Sequence, residues 1–474
     1  MELLSSARLS TRKHLNLRKL SDFSDSTLEG IWVFHRHGDR SPNRFLLAEH
    51  RYDEEAEFWL TKVPPTDLTH YEWLCQTIPT RIHESNNEGK FLDAGRAPFG
   101  FLTWKGMNQM RDKGYQFASR YHRNVDDPII DYFKIKAYST NYLRTVKSCQ
   151  CFLDGLFSRS DNQVKENLTQ YEHIDPEYFQ SSLNHDVVIE VRDRKQDTLN
   201  AFDKSPELMK KLVGDVVNTD EFLERDTKAT TLAARLTNFL PGLLKSRSYG
   251  GNSGINWIHA SDHFVCRSSH DIPFSKYSNL EYDPNTELAL KGMHHSTIAH
   301  LSWRFRMWYQ SPPLLAAIAG PPLQEILNHI KETIGSSNLL KRKPLTIYSC
   351  HDVTILSILY GLNATFLASE KDLKDVNILD SSGENRWRYW PDYSSTLAIE
   401  LHRVKRDTGR FDHEIRVMLN EVPVSTIGAI KARKSDMSLE TFQNLVSSLN
   451  DTISQDVQSK IDTDVERDMS GWTG

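Results

Sequence analysis

The chain has 474 residues, of which 38% are hydrophobic and 26% charged, proportions of an ordinary globular protein. Its formal net charge of -5 supplies no global basic field, which argues against a nucleic-acid partner. No apolar run reaches the roughly 18 residues of a membrane-spanning helix, so no span is expected. At ~150 residues per domain the length suggests about three units, and one α/β body carrying a large insertion fits as well.

Residues 1–28 read as a basic leader. Arg8, Arg12, Lys13, Arg18 and Lys19 stand against Glu2, with Ser5, Ser6, Ser10 and Thr11 interleaved. The apolar segment of a secretory signal is missing, and the composition fits either a mitochondrial presequence or a disordered basic tail. The expected location is therefore intracellular, cytoplasmic or mitochondrial. The sequons at Asn167, Asn363 and Asn450 imply nothing without secretion. The cysteines, Cys75, Cys149, Cys151, Cys266 and Cys350, are odd in number and widely spaced, so they read as structural thiols.

Three similar units organise the chain. In the first, the apolar run Gly30-Ile31-Trp32-Val33-Phe34 reads as a buried strand that opens into His35-Arg36-His37-Gly38-Asp39-Arg40-Ser41-Pro42. In the second, Phe133 to Ala137 alternates as a strand, passes through Tyr138-Ser139-Thr140-Asn141, and enters an amphipathic helix through Phe157 that Ser139 or Thr140 could cap. In the third, Pro344 to Ser349 leads through Cys350-His351-Asp352 into a helix from Val353 to Leu362. Each unit is strand, polar turn, helix. Ligands of open α/β sheets bind beyond the carboxyl ends of strands, so the three turns are expected to meet at one site.

The block between the second and third units reads mainly as helices. Ser205-Pro206-Glu207 is a helix start, Thr297–Tyr309 and Leu323–Ile334 are helical, and Gly250-Gly251-Asn252-Ser253-Gly254 is a flexible loop. Ser395–Val404 and His413–Leu419 read as adjacent strands. The expected architecture is α/β: a mainly parallel sheet flanked by helices over 29–157 and 340–450, a helical cap inserted at 158–339, and a charged tail at 451–474.

The segment Arg36-His37-Gly38-Asp39-Arg40-Ser41-Pro42 carries the strongest chemical signal. Two guanidiniums, whose planar forks fit phosphate oxygens, flank an imidazole across a tight glycine turn. Gly38 lets the backbone approach a ligand closely. Five fixed positions of this kind arise by chance in fewer than about one chain in a thousand.

This segment resembles the Arg-His-Gly-x-Arg-x-Pro signature of the histidine acid phosphatases, the second branch of the histidine phosphatase superfamily. Leu102-Thr103-x-x-Gly106-x-x-Gln109 with Gly114 is similar to the family's first helix, and Ser139-Thr140 with Arg144-Thr145 to its second motif. The resemblance implies a distal His-Asp pair. Of His185-Asp186, His270-Asp271 and His351-Asp352, only the last sits between an apolar strand and a helix. The resemblance further implies a two-step hydrolysis of a small phosphorylated substrate. His37 attacks phosphorus, Asp352 protonates the leaving group and later assists water, and Arg36, Arg40 and His351 hold the phosphoryl oxygens. No metal or cofactor is expected, because side chains supply the cations.

The resemblance also implies a phosphate-binding arginine just before Ser139-Thr140, and here that position is Tyr138. Tyr138 is expected at the phosphate, with weaker catalysis, while Arg144 reads as a structural ion pair. That departure motivates an alternative, a degenerate phosphatase that binds a phosphorylated ligand with weak turnover. A mutase of the first superfamily branch is disfavoured by Arg40 and Pro42. Ser139-Thr140-Asn141, Cys151 to Phe157 and His351-Asp352-Val353-Thr354 are most similar to the lysophosphatidic-acid phosphatase group. Trp303, Phe305, Met307, Trp308 and Tyr309 read as buried cap packing, the alternative being a groove for an apolar tail. His294, His295 and His300 lack a metal-ligand spacing.

Overall fold

The computed structural model describes residues 26–64, 78–83, 97–121, 129–158, 187–246, 250–280, 283–336, 342–364, 390–424, 426 and 436–452. The basic leader up to residue 25, Cys75, the sequon at Asn167, His185-Asp186 and the tail from 453 lie outside them.

In chain order the strands are β1 (Ser26–Arg36), β2 (Thr80–Ile82), β3 (Phe133–Ser139), β4 (Ile189–Val191), β5 (Lys343–Cys350), β6 (Thr396–Lys405), β7 (Phe411–Leu419), β8 (Val422–Pro423) and β9 (Asp436–Ser438). They form one sheet in the order β2-β4-β3-β5-β1-β6-β7-β8, with β9 pairing β7. From β2 to β1 every pairing is parallel, and from β1 to β8 every pairing is antiparallel. The expected β1, β3 and β5 are the three central parallel neighbours, and the two strands read near 395–419 pair as β6 and β7.

The sequence of β1 explains its central place. Both faces of a central strand are buried, and Ile31, Trp32, Val33 and Phe34 are all 0% exposed. Ile31 and Val33 face one layer; Trp32 and Phe34 face the other. The first layer is α2 (Trp104–Tyr121) and α3 (Leu143–Phe157), following the short α1 (Tyr52–Leu60). The second is α9 (Pro312–Ser336), α10 (Asp352–Gly361) and α11 (Leu439–Thr452). Between these layers in sequence lie α4 (Pro206–Val217), α5 (Asp220–Thr227), α6 (Thr230–Phe239), α7 (Trp257–Ser269) and α8 (Pro284–Gln310). They gather a separate core around Leu236, Phe264, Trp303 and Phe305, joined by Leu356 of α10.

Three expectations are corrected. The span read as a cap from 158 contains β4, which pairs in parallel with β2 and β3 and so belongs to the sheet. Its three residues, Ile189-Glu190-Val191, are too short a run to announce a strand by periodicity. Neither Ser139 nor Thr140 caps α3; the helix begins at Leu143 with Tyr142 as its first flanking residue and no side-chain cap. The loop at Gly250 to Gly254 is tied down, because Ser253 N–H donates to the Asp226 carboxylate at 2.8 Å and Arg304 bonds both Asp226 and the Gly250 carbonyl.

Glycines set the depth at which α2 meets its neighbours. A Cβ on Gly106 would lie 2.1 Å from the Asp39 carbonyl oxygen, and one on Gly38 would lie 2.3 Å from the Gly106 carbonyl oxygen. The loop after β1 therefore rests directly on the first turn of α2. Gly106→Ala forces these backbones apart and is expected to cost about 1–3 kcal/mol, as overpacking does. It should also lower kcat at least tenfold. Urea unfolding and steady-state kinetics on one preparation check this.

Candidate active site

The three polar turns converge because backbone hydrogen bonds fasten them strand to strand. His37 N–H donates to the Cys350 carbonyl at 3.2 Å, and Thr140 N–H donates to the Ser349 carbonyl at 3.1 Å. The loop after β1 is held from several sides. Gly38 N–H donates to Ser148 Oγ at 3.0 Å, and Asp39 N–H to Gln109 Oε1 at 2.9 Å. The buried Asp39 carboxylate receives the Thr103 hydroxyl and lies 2.6 Å from His270 Nε2. His270 thus braces the loop.

His37 is 3% exposed, and its Nδ1 lies 2.8 Å from the Gly38 carbonyl oxygen. A carbonyl only accepts, so Nδ1 carries the ring proton and Nε2 keeps its lone pair. Burial, then the charges of Arg144, Arg36, Arg40 and His351, hold the pKa of His37 well below that of an ordinary histidine. The ring is therefore held in its neutral form. His351 lies beside it, ring centroids 5.7 Å apart. Burial and the charge of Arg144 lead in pulling its pKa down to about 3, and its Nε2 lies 3.2 Å from Thr140 Oγ1.

Three guanidiniums gather around these rings. Arg36 pairs with Asp352 at 2.8 Å and donates to the Pro391 carbonyl at 2.8 Å. Arg40 pairs with Asp262 at 2.6 Å. Arg144 forms no ion pair among the described residues; it stacks over the Tyr142 ring at 4.5 Å. Burial and the like charge of Arg40 lead in drawing its pKa down to about 10. Among the described residues, the buried Nε atoms of all three arginines have no hydrogen-bond partner. Unpaired donors and surplus positive charge around a neutral imidazole suit an oxyanion of high charge.

Asp352 occupies the first turn of α10. Burial pushes its pKa up, but Arg36 and the Trp390 indole N–H outweigh burial, so the carboxyl sits below its ordinary value. Trp390 Nε1–H donates to Asp352 Oδ2 at 2.8 Å. Tyr393 lies with its ring 4.2 Å from the Arg36 guanidinium carbon and 5.9 Å from the His37 ring. Trp390, Tyr393 and Asp262 went unread in the sequence. No motif marks Trp390 and Tyr393. Asp262, however, is a nearly buried acid on a helix, a position that an arginine partner explains.

Of the expected site residues, Arg36, His37, Arg40, His351 and Asp352 come together, and Tyr138 does not. Side chains alternate along a strand, so Ala137 faces the α2–α3 layer and Tyr138 the α9 layer. There the Tyr138 ring stacks on Tyr348 at 5.6 Å, under the guanidinium of Arg192 at 4.0 Å. Arg192 in turn pairs with Glu325 of α9 at 2.5 Å. Arg144, read as a structural ion pair, instead brings a cation near the His37 and His351 rings. Residues 140–142 are not helical, so Arg144 falls in the first turn of α3, beyond the carboxyl end of β3.

The fold and this site define a phosphatase of the histidine type. The chain belongs to the histidine phosphatase superfamily (branch 2), which matches residues 27–420. It is a histidine acid phosphatase, a phosphoric monoester hydrolase. No curated protein sequence matches it. Among solved structures it is similar to the Bifidobacterium longum multiple inositol polyphosphate phosphatase in complex with inositol hexasulfate. Identity there is 14%, over 92% of this chain and 95% of that one, with a TM-score of 0.51. It is also similar to the Klebsiella sp ASR1 phytase, at 13% identity over 91% and 96% with a TM-score of 0.49. A third is the apo Hafnia alvei phytase, at 14% identity over 92% and 98% with a TM-score of 0.48. The first likeness supports the fold. Among the described residues no helix is long and apolar enough to cross a membrane.

Arg144→Ala should lower kcat/KM for a phosphate monoester by roughly 10²–10³, the scale of removing one charge-stabilising donor. Tyr138→Phe should change kcat/KM less than about threefold, since no contact of its hydroxyl is involved at the site. Parallel kinetics on the two variants check the assignment; comparable losses would restore Tyr138 to the phosphate.

Proposed function

We propose that this phosphatase works through a phosphohistidine formed on His37. The observation that carries the reading is the Nδ1 contact to Gly38, which leaves a neutral Nε2 lone pair among three arginines. In the first step Nε2 attacks phosphorus, the P–O ester bond breaks, and the departing oxygen takes a proton from Asp352. In the second, water attacks the phosphohistidine, Asp352 takes the water's proton, and phosphate leaves with Nε2 restored. Arg36, Arg40, Arg144 and His351 balance charge on the phosphoryl oxygens.

The pH dependence comes from Asp352. It donates only when protonated, and Arg36 and Trp390 favour its charged form. Turnover of substrates with poor leaving groups should therefore fall as pH rises, giving an acidic optimum. Trapping with labelled substrate, acid-labile and base-stable label, and peptide mapping should place the phosphoryl group on His37. Asp352→Asn should slow alkyl phosphates far more than 4-nitrophenyl phosphate, whose leaving group needs no proton. Label on a serine, or equal slowing of both substrates, would overturn the respective role.

For the substrate we favour a lysophospholipid, on the resemblance of Cys151 to Phe157 and His351 to Thr354 to that phosphatase group. Helices α4–α8, read as the cap, supply apolar surface. Ile255, Trp257, Leu301, Phe305 and Trp308 line a small recess there. The recess is far smaller than a pocket for a drug-sized ligand, so an acyl chain would need the surrounding aromatic side chains to move apart. Competition between lysophosphatidic acid and an inositol polyphosphate, the substrate class in the name of the Bifidobacterium longum enzyme, tests this substrate reading. The weak-turnover reading rested on Tyr138, and with Arg144 at the site it loses that motive.

A further inference from the structure

We propose that Trp390 is a positioning residue that fixes which oxygen of Asp352 delivers the proton, and that it ties this proton donor to the cap. The inference rests on the reading of Asp352 as the acid. Both oxygens of Asp352 are engaged, in different ways. Oδ2 takes two donors, the Trp390 indole N–H at 2.8 Å and the Arg36 guanidinium at 2.8 Å. Among the described residues Oδ1 takes only the N–H of Val353, at 2.8 Å. A carboxyl oxygen that accepts two strong donors is a poor place for a proton. The proton is therefore carried on Oδ1, and Trp390 and Arg36 together hold the carboxyl in that orientation.

Trp390 begins a short clasp over the site. The next residue, Pro391, accepts from Arg36 at 2.8 Å, Tyr393 covers the Arg36 guanidinium, and Ser394 N–H donates to the His37 carbonyl at 3.2 Å. The clasp also touches the inserted helices α7 and α8. The Trp390 ring stands edge-on to Phe305 of α8 at 4.9 Å, and Tyr393 Oη lies 3.3 Å from Cys266 Sγ of α7. One side chain thus binds the acid through its polar edge and the α8 aromatic cluster through its apolar body. A change in the packing of Phe305 reaches Asp352 through a single rigid ring.

The other groups facing Asp352 are Arg36 from β1, Arg40 from the loop after it, Arg144 from α3, Tyr309 from α8, and its chain neighbours Cys350 and His351. None of them changes in Trp390→Phe, which keeps an aromatic ring and removes the donor. Losing a donor to the charged carboxylate raises the pKa of Asp352. Activity that requires the protonated acid then persists to higher pH. The expected result is an upward displacement of the basic limb of kcat/KM against pH for an alkyl phosphate. The ratio of 4-nitrophenyl to alkyl phosphate turnover at acidic pH should rise at least threefold, because the proton is no longer held on one oxygen. Phe305→Ala should raise the same ratio without moving the limb as far, since the donor stays but its support is lost.

Asp352→Asn, assayed beside them, separates the role of the acid from that of its support. If it slows both substrates equally, Asp352 is not the acid and the underlying reading fails. If it discriminates between them while folded Trp390→Phe moves neither the limb nor the ratio, only the role of Trp390 is overturned. Circular dichroism and thermal unfolding on each variant establish that it is folded.

Discussion

The site depends on one imbalance of charge. Three arginines surround the His37 ring, and two of them meet carboxylates, Arg36 with Asp352 and Arg40 with Asp262. The third, Arg144, meets the face of Tyr142 and no carboxylate among the described residues. Holding like charges together in a partly dry site is unfavourable, and the depressed pKa of Arg144 expresses that cost. The cost is met by the fold, which anchors each arginine on a different rigid element: the end of β1, the loop braced on α2, and the first turn of α3. A phosphoryl dianion relieves the repulsion that the fold imposes. Burial first, and the same surplus after it, hold the pKa values of His37 and His351 down, so the electrostatics suited to an anion also favour a neutral His37 ring.

Local strand–turn–helix patterns carried much of this from sequence. An apolar run that ends in Arg36-His37-Gly38 already states that its polar turn lies at a carboxyl end, and β5 with His351-Asp352 repeats the statement. What local pattern could not resolve was which residues of the second unit point at the site. Tyr138 and Ser139 differ by one position, and in a strand one position is the other face of the sheet. The aromatic side chain goes to Tyr348 and Arg192, where it packs, and the cation arrives six residues later once the chain has turned. The end of the strand, more than the motif letters, decides where the charge falls.

The rest was illegible because it is made by contacts between distant segments. Trp390 meets Asp352, Asp262 meets Arg40, and His270 meets Asp39 across 38, 222 and 231 positions respectively. Each partner is chemically ordinary in its own segment. The strand β4 was hidden for a related reason: three residues suffice when β2 and β3 supply the ladder on both sides. The aromatic run of α8 reads correctly as packing, since Trp303, Phe305, Trp308 and Tyr309 are each 2% exposed or less.

These long-range contacts bind the inserted helices to the chemistry more firmly than the word cap suggests. Helix α7 sends Asp262 to Arg40, and the residue after its end, His270, sends its ring to Asp39, both in the loop that carries His37. Its Arg267 is paired with Glu55 of α1 at 2.8 Å, each side chain 1% exposed. Removing one partner of a buried pair leaves an uncompensated charge and costs about 3–5 kcal/mol. A rigid-body opening of α7 would break two such pairs together, leaving Arg40 and Glu55 without their partners. Substrate access by lifting this helix is therefore disfavoured by more than the loop's own contacts with α2 could offset. Helix α8 has a buried pair of its own, Arg304 with Asp226 at 2.6 Å, but it meets the site through Phe305 and Trp390 and not through an ion pair. The helix that braces the loop after β1 and the helix that supports Trp390 are then different helices, and the fold can vary the second without disturbing the first.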